Sequence, residues 1–176
     1  MTYANRGMGF EALINMSNDI YNRRGLAIIT KRPTPMKVLG PAKIKNQHVA
    51  VFEKPSTVDY TGVYRGRAIE FEAKSTHSLT SWPLKDIHEH QVDHLRKVDQ
   101  HGGIAFVLVE FVKQHAVYLL TVKHLLYAWT AAQTGGRKSI PIDEFDRLCL
   151  QVRSGRGVPV DYLAAVDQLI MEVESA

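Results

Sequence analysis

Asp59, Glu72 and Lys74 are the side chains whose types and spacing could do chemistry in this chain. Twelve residues lie between the two acids, and Lys74 follows two positions after Glu72. The stretch Tyr60-Thr61-Gly62-Val63-Tyr64-Arg65-Gly66-Arg67 carries two glycines and reads as a hairpin turn with its flanks. Such a hairpin brings the carboxylates together at the ends of two adjacent strands. After the turn, Ala68, Ile69, Phe71 and Ala73 are mainly apolar, while Glu70, Glu72 and Lys74 share the opposite face by the two-residue period of a strand. Three charges on one strand face are either solvated or gathered around something charged. A divalent cation fits, because magnesium takes oxygen ligands, typically one or two carboxylates plus waters. Phosphodiester hydrolysis uses such an ion to polarise phosphoryl oxygens and lower the pKa of an attacking water, with a cation to steady the developing charge. The alternative is a cross-strand ion pair on an exposed sheet face, which is worth little.

The elements that must position these residues follow from periodicity. Phe10, Leu13, Ile14, Ser17, Ile20 and Tyr21 form a helical stripe that Gly25 ends. Residues 26–30 read as a strand. Leu84, Ile87, Leu95 and Val98 predict a second amphipathic helix, followed by Gly102-Gly103. The unbroken apolar run 104–109 predicts a strand buried on both faces, with residues 117–120 as its hairpin partner. Helical patterns follow at 122–132, 142–148 and 161–173, the second opened by Pro141. Strands flanked by helices give an α/β layer architecture.

At 176 residues, 45% hydrophobic and 23% charged, the chain is read as one globular domain over 1–176. It has no apolar run of membrane-crossing length and no signal-peptide pattern at its start, so a cytoplasmic protein without a membrane partner is expected. The lone Cys149 excludes an intramolecular disulfide and a cysteine-based zinc site, and reads as a small buried hydrophobe. The net charge of +4 only hints at a polyanionic partner. Its distribution says more. Residues 31–52 contain Lys31, Arg32, Lys37, Lys43 and Lys45 and no acid, while Pro33, Pro35, Gly40 and Pro41 oppose a long helix. This is an extended basic arm that holds phosphates, or a solvated loop. Residues 49–52 read as the strand returning from it.

Gln91 falls inside the apolar stripe of the second helix, four residues from both Ile87 and Leu95. A buried amide without partners costs about 1–3 kcal/mol, so something polar faces it, or it lies half-exposed at the stripe's edge. Glu11 poses the same question beside Phe10. The run His88-Glu89-His90-Gln91-Val92-Asp93-His94 is not a zincin helix, since the second histidine would have to occupy the position of Val92. His90 and His94 read as solvent-exposed or phosphate-facing. Gly7-Met8-Gly9 and Ser154-Gly155-Arg156-Gly157 lack the lysine and context of a phosphate loop.

Several segments together resemble the RecU family of Holliday junction resolvases, within the PD-(D/E)XK nuclease superfamily. They are Tyr3-Ala4-Asn5-Arg6-Gly7-Met8 with Glu11, Thr57-Val58-Asp59-Tyr60-Thr61-Gly62-Val63-Tyr64, Phe71-Glu72-Ala73-Lys74, His90-Gln91, Gly102-Gly103-Ile104-Ala105-Phe106 and Lys138-Ser139-Ile140-Pro141. They span most of the chain in the expected order. The resemblance implies a restriction-endonuclease-like core, a central mixed β-sheet flanked by helices, with a protruding basic stalk inserted at about residues 31–56. It implies metal ligation by Thr57, Asp59, Glu72 and Gln91, Lys74 as transition-state stabiliser, and Glu11 in a supporting place nearby. DNA contacts are expected from Arg6, Lys31, Arg32, Lys37, Lys43 and Lys45. The implied activity is paired cleavage of a four-way DNA junction in recombination and repair by a homodimer using Mg2+, with Mn2+ as a substitute, alongside recombinase and branch-migration partners. The family commonly carries a longer basic N-terminal extension, whereas here the motif begins at Tyr3. Twofold symmetry gives a dimer a physical rationale, since two sites make the two cuts. Competing readings are a less selective metal-dependent nuclease of the same superfamily and a non-catalytic junction-binding or recombinase-modulating protein.

Overall fold

The computed structural model describes residues 8–33, 35–41, 48–52 and 57–174. Arg6, Lys43 and Lys45 lie outside the described residues. A six-stranded mixed sheet forms the centre, in spatial order β1 (Ala27–Lys31), β4 (Tyr60–Tyr64), β5 (Arg67–Thr76), β7 (Ile104–Phe111), β8 (Ala116–Thr121) and β10 (Leu150–Val152). Neighbours run antiparallel except β5 and β7, which are parallel. A parallel pair needs a crossover, and helix α2 (Glu89–Gln100) lies on that connection. Helices α1 (Met8–Arg23), α3 (Val122–Gln133), α4 (Ile142–Leu148) and α5 (Tyr162–Glu174) complete the α/β arrangement.

Alternation along β7 divides the interior into two cores. Phe106 and Leu108 face one side, where α1 and α5 supply Phe10, Ile14, Tyr21, Tyr162, Leu163 and Val166. Val107 and Val109 face the other, with Val92 and Leu95 from α2, Leu125 from α3 and Phe145 from α4. The apolar run at 104–109 is therefore a strand covered on both faces, as its sequence predicts. Tyr60, Phe71 and Phe106 occupy directly paired positions on β4, β5 and β7 and stack at ring-centre spacings of 4.7 and 4.8 Å. This aromatic column ties together the strands that carry the acids.

Gly62 does not belong to the turn. The β4–β5 connection is the pair Arg65-Gly66, with φ of 49° and 72°, as a tight two-residue hairpin turn requires. Gly62 lies within β4, where an added Cβ would sit 2.1 Å from the Ile28 carbonyl oxygen. Only glycine lets β1 approach this closely.

The basic arm contains an antiparallel two-stranded ribbon, β2 (Met36–Pro41) and β3 (His48–Phe52), with a register shift between Val38 and Gly40. A second small pair, β6 (Ser81–Pro83) with β9 (Ser139–Pro141), had no periodic signal in sequence. The second helix starts later than its stripe suggests. Residues Leu84–Asp86 form a short 3-10 turn, Ile87 is extended at φ −116° and ψ 141°, and α2 begins at Glu89. Leu84 and Ile87 are still buried, because side chains three apart also align on a 3-10 turn. Cys149 is half-buried against the second core, and burial pushes its thiol up to about 12. No described helix is long and apolar enough to cross a membrane.

Candidate functional site

The turn Arg65-Gly66 pairs Tyr60 with Phe71, so the next position outward places Asp59 opposite Glu72. The two residues then bind each other's strand. The Asp59 backbone N–H donates to Glu72 Oε2 at 3.1 Å, and the Ala73 N–H donates to Asp59 Oδ2 at 3.2 Å. Lys74, two residues on and therefore on the same strand face, places Nζ 2.7 Å from Glu72 Oε1. Two carboxylates and an ammonium thus converge, but where the start of β4 meets the middle of β5 and not at the ends of both strands. This is not an exposed ion pair: the Glu72 side chain is 1% exposed and that of Lys74 19%.

Burial governs the electrostatics. It pushes the Glu72 carboxyl up to about 7; the Lys74 ammonium pulls the other way and the Asp59 charge adds to the rise. Tyr60, buried beneath the pair, is held well above the ordinary phenol range first by burial and then by Glu11, Asp59 and Glu72. Glu11 lies on α1 and ion-pairs with Lys31 at the end of β1, while its backbone carbonyl accepts the Tyr60 hydroxyl at 3.4 Å. Glu11 therefore borders the acidic centre through Tyr60.

Thr57 and Gln91 reach their places by other routes. Thr57 Oγ1 accepts a hydrogen bond from Arg32 Nη1. Gln91 is buried, and its Oε1 accepts the His88 backbone N–H at 3.0 Å. The buried amide in the apolar stripe therefore has a local answer: it closes the N-terminus of α2 by satisfying an orphan donor. An amide oxygen has two lone pairs, so one remains for another partner. Lys37 lies on β2.

The residues fit a hard divalent cation by donor type. Two convergent carboxylates match the one or two that magnesium usually takes, and a carboxyl ionised at a cost in the metal-free fold gains from a cation beside it. Among the described residues, no group of three or more His, Cys, Asp and Glu side chains is arranged to hold a metal. Any ion here would need oxygen donors besides these acids.

Sequence reasoning missed a second polar cluster beside the first. Glu70 shares a strand face with Glu72, yet it meets different partners: Arg32 Nη2 at 3.0 Å, His94 Nε2 at 2.5 Å and Thr61 Oγ1 at 3.3 Å. Arg32, read as part of the basic arm, instead turns its guanidinium onto Glu70 and Thr57. His94, read as facing solvent or phosphate, faces Glu70. The available signal was positional, since Glu70 lies two before Glu72 and His94 three after Gln91. His90 is exposed and stacks on His88.

The family model described as Recombination protein U matches residues 5–168. A Holliday junction resolvase RecU of Geobacillus sp. (strain WCH70) is 42% identical, covering 95% of this chain and 85% of the relative. Its namesake from Pediococcus pentosaceus is 41% identical, covering 96% and 86%. A solved structure of Archaeoglobus fulgidus Hjc, a Holliday junction resolvase, aligns with a TM-score of 0.44 and 12% identity over 78% of this chain and 94% of its own. With a family model matching residues 5–168 and relatives above 40% identity that cover at least 95% of the chain, this protein belongs to the RecU family.

Proposed function

We propose that this chain is a Holliday junction resolvase, hydrolysing phosphodiester bonds at a four-way DNA junction with a divalent cation, Mg2+ or Mn2+ in its place. The observation that carries the reading is the reciprocal hydrogen bonding of Asp59 and Glu72 with Lys74 alongside. Asp59 and Glu72 would hold the cation, with Thr57 and Gln91 as further oxygen donors. When bound, the ion supplies charge at the phosphoryl oxygens and acidifies a water. The protein's own groups do the positioning. The Asp59 and Ala73 N–H donors fix both carboxylates against rotation, which preorganises the site before substrate arrives. The Lys74 ammonium, held by Glu72, presents its remaining donors to a phosphate whose charge grows as the bond breaks. The buried Tyr60 phenol stays neutral beneath the acids and adds no competing charge.

The working unit in this reading is a homodimer, two sites making two symmetric cuts, and the β2–β3 ribbon is the stalk that enters the junction centre. Lys31 and Lys37, with Arg6, Lys43 and Lys45, are assigned to phosphate contact. The test compares Mg2+-dependent cleavage of a mobile four-way junction with that of linear duplex. Strong preference for the junction is expected; equal rates on both would reduce the protein to a less selective nuclease. Glu72→Ala should bind the junction and fail to cut it, and full cleavage by that variant would remove Glu72 from the mechanism.

A further inference from the structure

The Glu70 cluster joins the segments that carry the site. Glu70 is on β5 two residues before Glu72, and its side chain is 15% exposed. One carboxylate oxygen is taken by both Arg32 and His94, the other by Thr61. Arg32 in turn brackets the segment 57–59. Its guanidinium donates to Thr57 Oγ1 while its backbone N–H donates to the Asp59 carbonyl at 2.7 Å. His94 lies one turn after Gln91 on α2, so the Glu70–His94 contact fixes the helix face that presents Gln91. Glu70 thus shares the acidic face yet is engaged by the Arg32 guanidinium, the His94 imidazole and the Thr61 hydroxyl, and is not free to take an ion.

We propose that Arg32, Glu70 and His94 are positioning residues of the cleavage site, locking the segment 57–59 and the α2 face that carries Gln91 against β5. This rests on the resolvase reading above, and it makes Arg32 a brace instead of a phosphate contact. Groups that orient a metal's ligands without touching it typically change metal affinity 10–100-fold when removed.

The experiment uses the full chain without DNA, titrated with Mn2+ and followed by electron paramagnetic resonance of the free ion. Glu70→Gln and Arg32→Met should each weaken Mn2+ binding by roughly tenfold or more. The double variant should be no more than about threefold worse than either, because each acts through the other. Arg32→Lys keeps a charge for Glu70 but cannot fork to Thr57; it should restore the urea midpoint and leave Mn2+ binding weak. A brace of the fold alone would not separate those two readouts. Glu70→Gln should keep junction affinity in EDTA. Wild-type Mn2+ binding by Glu70→Gln and Arg32→Met, with binding lost in Glu72→Ala, overturns the network. Reduced junction affinity in EDTA for Arg32→Met with unchanged Mn2+ binding also overturns it, making Arg32 a phosphate contact. Wild-type Mn2+ binding by Glu72→Ala overturns the network and the site reading together.

Discussion

Glu72→Gln should make the metal-free protein more stable, not less. The Glu72 carboxyl is 1% exposed and raised from the ordinary 4.5 to about 7, chiefly by burial. At ~1.4 kcal/mol per pH unit, ionising it in the fold costs about 3 kcal/mol relative to the unfolded chain. The sign follows from proton counting. Between pH 4.5 and about 7 the native state holds more protons than the unfolded one, so stability falls as pH rises and levels off above pH 7. Glutamine has no such proton. It keeps an oxygen for the Asp59 N–H, and it leaves Lys74, 19% exposed, with access to water. Some of the gain is lost with the Lys74 pair, so at pH 8 in EDTA the variant should be about 1–3 kcal/mol more stable. The advantage should shrink towards zero near pH 5. Urea titration at pH 5, 6, 7 and 8 reads this directly, and the melting temperature should rise ~2–4 °C per kcal/mol for a chain of this size. Saturating Mg2+ should reverse the order, since a cation stabilises only the form that binds it. A gap between the two proteins that does not vary with pH would refute the claim that Glu72 is charged at a cost.

Two further outcomes follow from other parts of the fold. Gly62→Ala would place a Cβ 2.1 Å from the Ile28 carbonyl oxygen; because backbone must move, a loss of about 3 kcal/mol or more is expected by urea titration, and a loss below 1 kcal/mol would mean β1 and β4 part easily. Replacing Lys37, Lys43 and Lys45 with glutamine should flatten the log–log salt dependence of junction affinity by up to about 3, at ~0.9 per phosphate contact; an unchanged slope would show that these lysines do not touch phosphates.

The pairing of Asp59 with Glu72 was legible because it depends only on local arithmetic. A two-residue turn fixes the register of its strands, and the strand period then puts Glu72 and Lys74 on one face. The run at 104–109 was legible for the same reason, as continuous apolarity over six residues leaves few alternatives. Boundaries were less so: Leu84 and Ile87 keep a helical spacing through a 3-10 turn, and three-residue strands such as β6, β9 and β10 are too short to show any period. Gly62 looked like turn chemistry because the neighbour that demands it is 34 residues away.

The partners of Glu70 were illegible for a deeper reason, and it bears on how the site is built. Arg32 and His94 lie 38 and 24 residues from Glu70, and no periodicity tells a base which acid it will meet. The two carboxylates are held by backbone N–H groups of the same hairpin and the ammonium by Glu72, whereas Thr57, the Asp59 carbonyl and the α2 face are held from distant segments. The local part forms whenever the β4–β5 hairpin forms; the braced part exists only when β1, β5 and α2 are docked together. A hairpin carrying Asp59, Glu72 and Lys74 alone would therefore present two acids and a lysine without the fixed surroundings. The coupling of Arg32 to both Thr57 and Glu70 makes completion of the site conditional on completion of the fold.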